Sequence, residues 1–459
     1  MSYAQQCPTL VYEVLPDRFD PTSDVSPLQA IRSRLDHMAR LGIDGLNLLP
    51  IFPASDPMRL HISDFFRIDP ALGSEEDLKA LCKEANEKGI SVVLTGVFDH
   101  VSSEHEWFQS ARVHDEQEEA KYPPHLRTRR YFTFGSEFKY GYACRDDQAS
   151  QPELNLKNLD VRRRLFTGEE SVLHRWLELG VNAWRILRAD AVGYSILRES
   201  SRASLTVEGD HDVIGDIKGF ADRYVKDGLL DGVVNHYLRE AIVSYLGGQI
   251  PARQIARVLR DLSTRYGSAL NRSWNLLSGH DTPRLDQKLG DSGRSRLALL
   301  LGYTLPGCAH LLYGEEVGLH GTGSQPMPAM NWDENAWDPS RLELCRRLGL
   351  LRRSRALRRG DFVDLTPEGE DEILAFARVT KDPRETVLVA ANRASQTRVR
   401  KLFAPVCDLP DGLKLRDALG GQAATVRAGS VTLDIEGQSA RILVPDEGDP
   451  AGARFFRDY

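Results

Sequence analysis

Four short stretches set carboxylates or imidazoles against apolar runs. "GVNAWRILRADAVG" (180 to 193) is broken by Arg185, Arg188 and Asp190, "TGVFDH" ends in Asp99 and His100, "VIGDIKG" carries Asp216, and "SGHDTPR" carries His280 and Asp281. Side chains of these types transfer protons, attack an electrophilic carbon or bind hydroxyl groups. The first stretch poses the sharpest question: whether Asp190 is a catalytic carboxylate, or Leu187 stands where one has been lost. An Asp that orders a strand end and a His-Asp pair in a surface turn are the plainer alternatives for Asp216 and for His280 with Asp281.

The elements that would position these residues alternate between strand and helix. Strand-like runs occur at 10 to 15, 45 to 52, 91 to 98, 181 to 187, 212 to 217, 232 to 234, 273 to 277 and 310 to 314. Helical patterns such as "PLQAIRSRLDHMARLG" and "SEEDLKALCKEANEKG" lie between them, each ending in Gly as a helix C-terminus commonly does. This order predicts a parallel sheet with crossover helices, and eight strands is the number a (β/α)8 barrel needs. Residues 1–100 and 159–357 are assigned to that barrel. The polar, aromatic segment 101–158 reads as a small excursion domain after the third strand. From 358 to 459, short strands separated by Pro, Gly and Asp predict a C-terminal β-sandwich.

Composition narrows the function classes. A net charge of -7, with 41 % hydrophobic and 27 % charged residues, describes an ordinary soluble globular chain and gives no electrostatic case for nucleic acid. The most basic patch, "RLGLLRRSRALRRG" at 347 to 360, fits a helix with one apolar face and solvated arginines. No apolar stretch approaches the roughly 20 residues of a membrane span, and "MSYAQQCPTLVYEVL" has no export signal. Six scattered cysteines without C-x-x-C spacing read as reduced thiols in a cytoplasmic protein.

Several motifs then coincide in order and spacing. "VYEVLPDRF", "LGIDGLNLLPIF", "DFFRIDPALGSEEDLKALCKEANEKGISVVLTGVFDH", "QPELN", "NLLSGHDTPR" and "LLYGEEVGL" resemble the α-amylase superfamily, glycoside hydrolase family 13, from about residue 8 to 450. "QPELN" is similar to the α-glucosidase and oligo-1,6-glucosidase branch, and "YGEEVGL" to neopullulanase-type members. The resemblance implies a retaining mechanism on an α-glucan or small α-glucoside, with an Asp nucleophile after strand four, a Glu acid/base after strand five and a supporting Asp after strand seven. Retention requires two carboxyl groups roughly 5 to 5.5 Å apart.

Measured against that pattern, His280 and Asp281 match the pair that binds hydroxyls of the first glucose, His100 matches the sugar-binding His, and Arg185 matches the motif Arg. Five other positions depart from it. Thr95 and Asp99 stand where Asp and Asn are expected, and Leu60, with His61 beside it, stands where a Tyr stacks under the sugar. Leu187 falls at the nucleophile position in the gapless alignment. Asp216 replaces the acid/base Glu, one methylene or roughly 1.5 Å shorter, and a misplacement of about 1 Å can cost on the order of a hundredfold in rate. The alternative alignment makes Arg188 and Asp190 the Arg-x-Asp pair, at the cost of three extra residues absorbed by a bulged fourth strand.

Three functions follow from these residues. One is a divergent α-glucoside hydrolase or transglycosidase with Asp190 as nucleophile and Asp216 as acid/base. The second is a non-catalytic glucan-binding or sensor relative. The third is an inverting reaction using Asp216 and Asp281 with water, which needs a carboxyl separation of roughly 6.5 to 9.5 Å. No cofactor is assigned. A structural calcium near the third-strand loop is compatible with the resemblance, although no ligand cluster stands out. The oligomeric state is not legible.

Overall fold

The computed structural model describes residues 7–113, 120–121, 123, 127–321, 327–446 and 448. Eight strands, β1 (Leu10–Val14), β2 (Gly45–Leu48), β3 (Ser91–Val97), β4 (Ala183–Leu187), β5 (Asp212–Ile217), β6 (Gly232–Asn235), β7 (Trp274–Asn275) and β8 (Cys308–Leu312), pair in parallel in chain order and close into a barrel. β8 closes on β1 with Leu10 opposite Ala309. Each strand is buried along its length, as expected where helices cover the outer face and side chains fill the inner one. The seventh strand is two residues long, shorter than its apolar run, and the helical pattern at 27 to 42 is split at Arg34 into Pro27–Ser33 and Leu35–Arg40. Gly42 then turns with φ +78, and a Cβ there would stand 2.8 Å from the backbone of Gly349.

Side chains on a strand alternate between its faces, so the barrel interior is built in layers two residues apart. Val11, Val93, Ala183, Ile214, Val234, Trp274 and Cys308 belong to one apolar cluster. Two residues further along five of these strands stand Glu13, Thr95, Arg185, Asp216 and His310, all buried. Asn47 joins them from β2. Two residues beyond Thr95, Arg185 and Asp216 come Val97, Leu187 and Lys218, which line a cavity at the C-terminal mouth. Apolar floor, polar middle and open mouth therefore follow from one strand periodicity.

The segment after β3 contains a helix, Glu106–Val113, and packs through its own aromatic rings. Phe108 lies 5.0 Å from Phe132 and 4.7 Å from Tyr142 between ring centroids. An isolated bridge pairs His100 with Glu153, and the same segment delivers Arg145 and Asp146 to the cavity.

After residue 358, β9 (Asp361–Asp364), β10 (Ile373–Val379), β11 (Val387–Asn392), β12 (Arg398–Phe403), β13 (Lys414–Asp417), β14 (Ala424–Thr425), β15 (Ser430–Ile435) and β16 (Ser439–Pro445) form antiparallel sheets of six strands (β14-β13-β16-β11-β10-β9) and two (β12-β15). Phe376, Val389 and Ile442 join the main core. The alternate residues Ala375, Ala377, Leu388 and Leu443 belong to a second core shared with Leu402 and Leu433 of the two-stranded sheet. Period-two burial on both faces thus attaches this domain to the barrel.

The basic patch at 347 to 360 falls in helices Pro339–Arg352 and Arg355–Arg359, but not all its arginines are solvated. Arg352 is buried and donates to the carbonyls of Thr9, Tyr303, Leu305 and Gly307, because its guanidinium satisfies main-chain acceptors at the base of the barrel. All six cysteines are free.

Candidate functional site

The cavity at the strand ends has a volume of about 410 Å³. Its lining combines apolar faces from Leu60, Val97 and Leu187 with the charged groups of Arg145, Arg188, Asp190, Asp216, Lys218 and Asp281, and with His280.

β4 reaches this mouth without a bulge. Its pairing with β3 runs residue for residue from Val93 opposite Ala183 to Val97 opposite Leu187, and its pairing with β5 is equally regular. Leu187 ends the strand at the cavity, 6 % exposed. The bulged strand that would make Arg188 and Asp190 an inward-facing pair is therefore absent. Instead Arg188 takes the left-handed conformation at φ 49, and the chain enters the short helix Ala189–Val192. Asp190 comes to the cavity rim on that helix, exposed to solvent. Arg188 swings back so that Nε meets Asp99 Oδ2 at 3.2 Å and Nη1 approaches Asp146 Oδ2 at 3.6 Å.

Beneath the mouth, Arg185 is fully buried between two carboxylates. Its Nη1 donates to Glu13 Oε2 and its Nη2 to Asp216 Oδ2 at 2.6 Å. Asp216 also pairs through Oδ1 with His236 Nε2 at 2.7 Å. Burial penalises the charge, but the Arg185 guanidinium and the His236 imidazole outweigh it and hold the Asp216 carboxyl well below the usual carboxylate range. In this arrangement Asp216 is an anion with both oxygens engaged. Both oxygens thus face a guanidinium or an imidazole, an arrangement that favours a carboxylate over a protonated acid.

Glu13 was not singled out from the sequence, yet it lies at the centre of the polar layer. Its Oε1 accepts from the His280 backbone N–H at 2.7 Å and lies 3.3 Å from His280 Nδ1. Its Oε2 lies 3.2 Å from His310 Nε2 and 3.5 Å from Asn47 Nδ2. Thr95 donates to Asn47 Oδ1 at 3.0 Å, so the strand-three position that carries no charge is wired to the strand-one carboxylate through one amide. The only sequence signal for Glu13 was an acid inside an apolar strand; His236, directly after β6, offered none.

Asp281 lines the cavity beside Lys218, whose Nζ stands 3.3 Å from Oδ2. Burial raises its carboxyl, but the charges of His280, His236 and Lys218 bring it below its ordinary value. His100 sits behind the wall rather than in the lining: Nδ1 meets Asp99 Oδ1 at 2.9 Å, and Nε2 is buried without a partner. Leu60 presents an aliphatic face to the cavity. Among the described residues no group of three His, Cys, Asp or Glu is arranged to hold a metal ion, and no helix is long and apolar enough to cross a membrane.

Comparison with known proteins gives this geometry a setting. A model of the alpha-amylase catalytic domain matches residues 13–343. A cyclomaltodextrinase of Geobacillus thermopakistaniensis is 30 % identical over 84 % of this chain and 69 % of its own length. Neopullulanase 2 of Thermoactinomyces vulgaris is 26 % identical over 95 % of this chain and 77 % of its own length. Among solved structures, the ligand-free cyclic α-maltosyl-(1→6)-maltose hydrolase of Arthrobacter globiformis superposes with a TM-score of 0.81, at 23 % identity, over 95 % of this chain and 99 % of that one.

Proposed function

Because this chain belongs to the α-amylase family, we propose that it binds α-linked glucose oligosaccharides at the mouth of its barrel without forming a covalent glycosyl intermediate. The observation that carries this reading is Leu187, which closes an unbulged β4 and lines the cavity. A retaining reaction needs an oxygen nucleophile and a protonated acid. Leu187 supplies no oxygen, and Asp216 is held as an anion by Arg185 and His236.

What remains suits binding. Asp281, Asp190, His280, Arg188 and Lys218 present acceptors and donors for sugar hydroxyls, and Leu60, Val97 and Leu187 present apolar surface to the sugar's C–H faces. The names of the relatives, cyclomaltodextrinase and neopullulanase, support α-glucans as the ligand class. The six free thiols support a reducing compartment such as the cytoplasm as its location.

Calorimetric titration with maltotriose, maltoheptaose and a cyclomaltodextrin tests the reading, run beside an assay for released reducing ends. Saturable binding with no turnover above an Asp216→Ala control is expected. A second reading, hydrolysis with Asp190 as the attacking group, is favoured by the presence of that carboxylate on the cavity rim. Turnover that disappears in Asp190→Ala would establish it and overturn the first.

A further inference from the structure

The layer below the cavity contains a carboxylate with no solvent contact, and it touches one residue of the cavity lining directly. Glu13 is fully buried, and its Oε1 bonds both the backbone N–H and the ring of His280. With Nδ1 turned to Glu13, His280 has Nε2 as its remaining ring nitrogen, and Nε2 makes no hydrogen bond among the described residues. If Nδ1 always carries the proton shared with Glu13, the charge on the ring decides what the cavity meets. A neutral ring offers Nε2 as an acceptor, and a charged ring offers an N–H donor.

We propose that Glu13 is a positioning residue that keeps His280 as an imidazolium, so that the cavity presents a charged Nε2–H donor to a sugar hydroxyl. This rests on the glucan-binding reading above and specifies the donor it uses. The groups facing His280 come from every side of the layer. Glu13 on β1 and Asp281 beside it favour the charge, Arg185 on β4 opposes it, Asp216 on β5 interacts favourably with it, and His310 on β8 competes for the same Glu13 carboxylate. Burial also opposes it, but the bond to Glu13 and the charge of Glu13 prevail and raise the His280 titration above its ordinary value. His310 lies on the same carboxylate and is pushed the other way by burial, so the two rings are expected to differ in charge.

The substitution Glu13→Gln keeps the shape and removes the charge. NMR titration of the histidine rings, with His280 assigned by its missing signal in His280→Gln, measures the midpoint directly. The wild-type ring is expected to carry both protons at pH 7 and to lose one above its ordinary value, and Glu13→Gln is expected to lower that midpoint. Maltoheptaose affinity should then fall severalfold as pH rises through each protein's own midpoint, because a charge-assisted donor is exchanged for a neutral ring. Sugar binding with an unmoved midpoint overturns the proposal. A lowered midpoint without affinity for any glucan overturns the ligand reading and leaves the charge assignment standing. Should Glu13→Gln fail to fold, the wild-type titration still decides, because a neutral His280 at pH 7 is incompatible with the proposal.

Discussion

Removing Arg185 should expose how much of the barrel's polar layer depends on one cation. In Arg185→Met the side chain keeps its apolar bulk, while Glu13 loses its strongest partner and Asp216 loses one of two. Glu13 and Asp216 are nearly or fully buried, so water does not replace what is lost. Breaking a buried pair by removing one member costs about 3 to 5 kcal/mol. The cost for two acids sharing one arginine should stay within that range, because Glu13 retains His280, His310 and Asn47 and Asp216 retains His236. At about 1.4 kcal/mol per factor of ten, that lowers the folding constant by roughly two to three and a half powers of ten. The pH dependence has a definite sign. Both acids titrate below their ordinary range in the folded protein, so their contribution is present above the unfolded values of about 4.3 and 3.9 and is lost as pH falls through the folded ones. The gap between wild type and variant should be widest at pH 7 and should have narrowed by pH 3, between the unfolded and folded titrations. Urea unfolding followed by tryptophan fluorescence at both pH values measures it. The triple substitution Glu13→Gln, Arg185→Met, Asp216→Asn should recover much of the loss by removing the stranded charges. Costs that simply add across the three substitutions, or a gap no narrower at pH 3 than at pH 7, would refute the shared-cation account.

Three further outcomes are expected. Thr95→Val removes the donor to Asn47 and leaves that buried amide oxygen unpaired, costing about 1 to 3 kcal/mol by chemical denaturation. Arg188→Gly relieves a left-handed conformation worth about 1 to 2 kcal/mol, against part-exposed ion pairs worth about 0 to 1 kcal/mol; its melting temperature should not fall, whereas calorimetry should find glucan affinity changed. Asp231 is pushed up to about 6 by burial and the neighbouring Asp212. A raised acid opposes folding above that pH and not below its unfolded value. Asp231→Asn should therefore raise the melting temperature slightly at pH 7, by a fraction of a kcal/mol because 34 % of the side chain meets solvent, and leave it unchanged at pH 3.

The eight strands were legible because each is an apolar run that must be buried on both faces, and a run of that kind has a recognisable length and bounding residues. The facing of Leu187 and Thr95 was legible for a related reason, since a position two residues along a strand keeps its facing. Asp216 was legible as a carboxylate at a strand end but not as an occupied one. Nothing in "VIGDIKG" indicates that Arg185 and His236 would take both of its oxygens. Lys218, two residues on, likewise gave no sign of reaching Asp281 across the mouth.

Local sequence thus determined which segments are strands, the order in which they succeed one another and which side chains share an inward face, because these depend on periodicity within a few residues. Barrel closure alone decided which of those side chains meet. Glu13 reaches Asn47, Arg185, His280 and His310 across sequence separations of 34, 172, 267 and 297 residues. The protonation of such groups is set by their neighbours and their burial rather than by their own chemistry. That is why an acid in an apolar strand looked incidental in the chain and lies at the electrostatic centre of the fold.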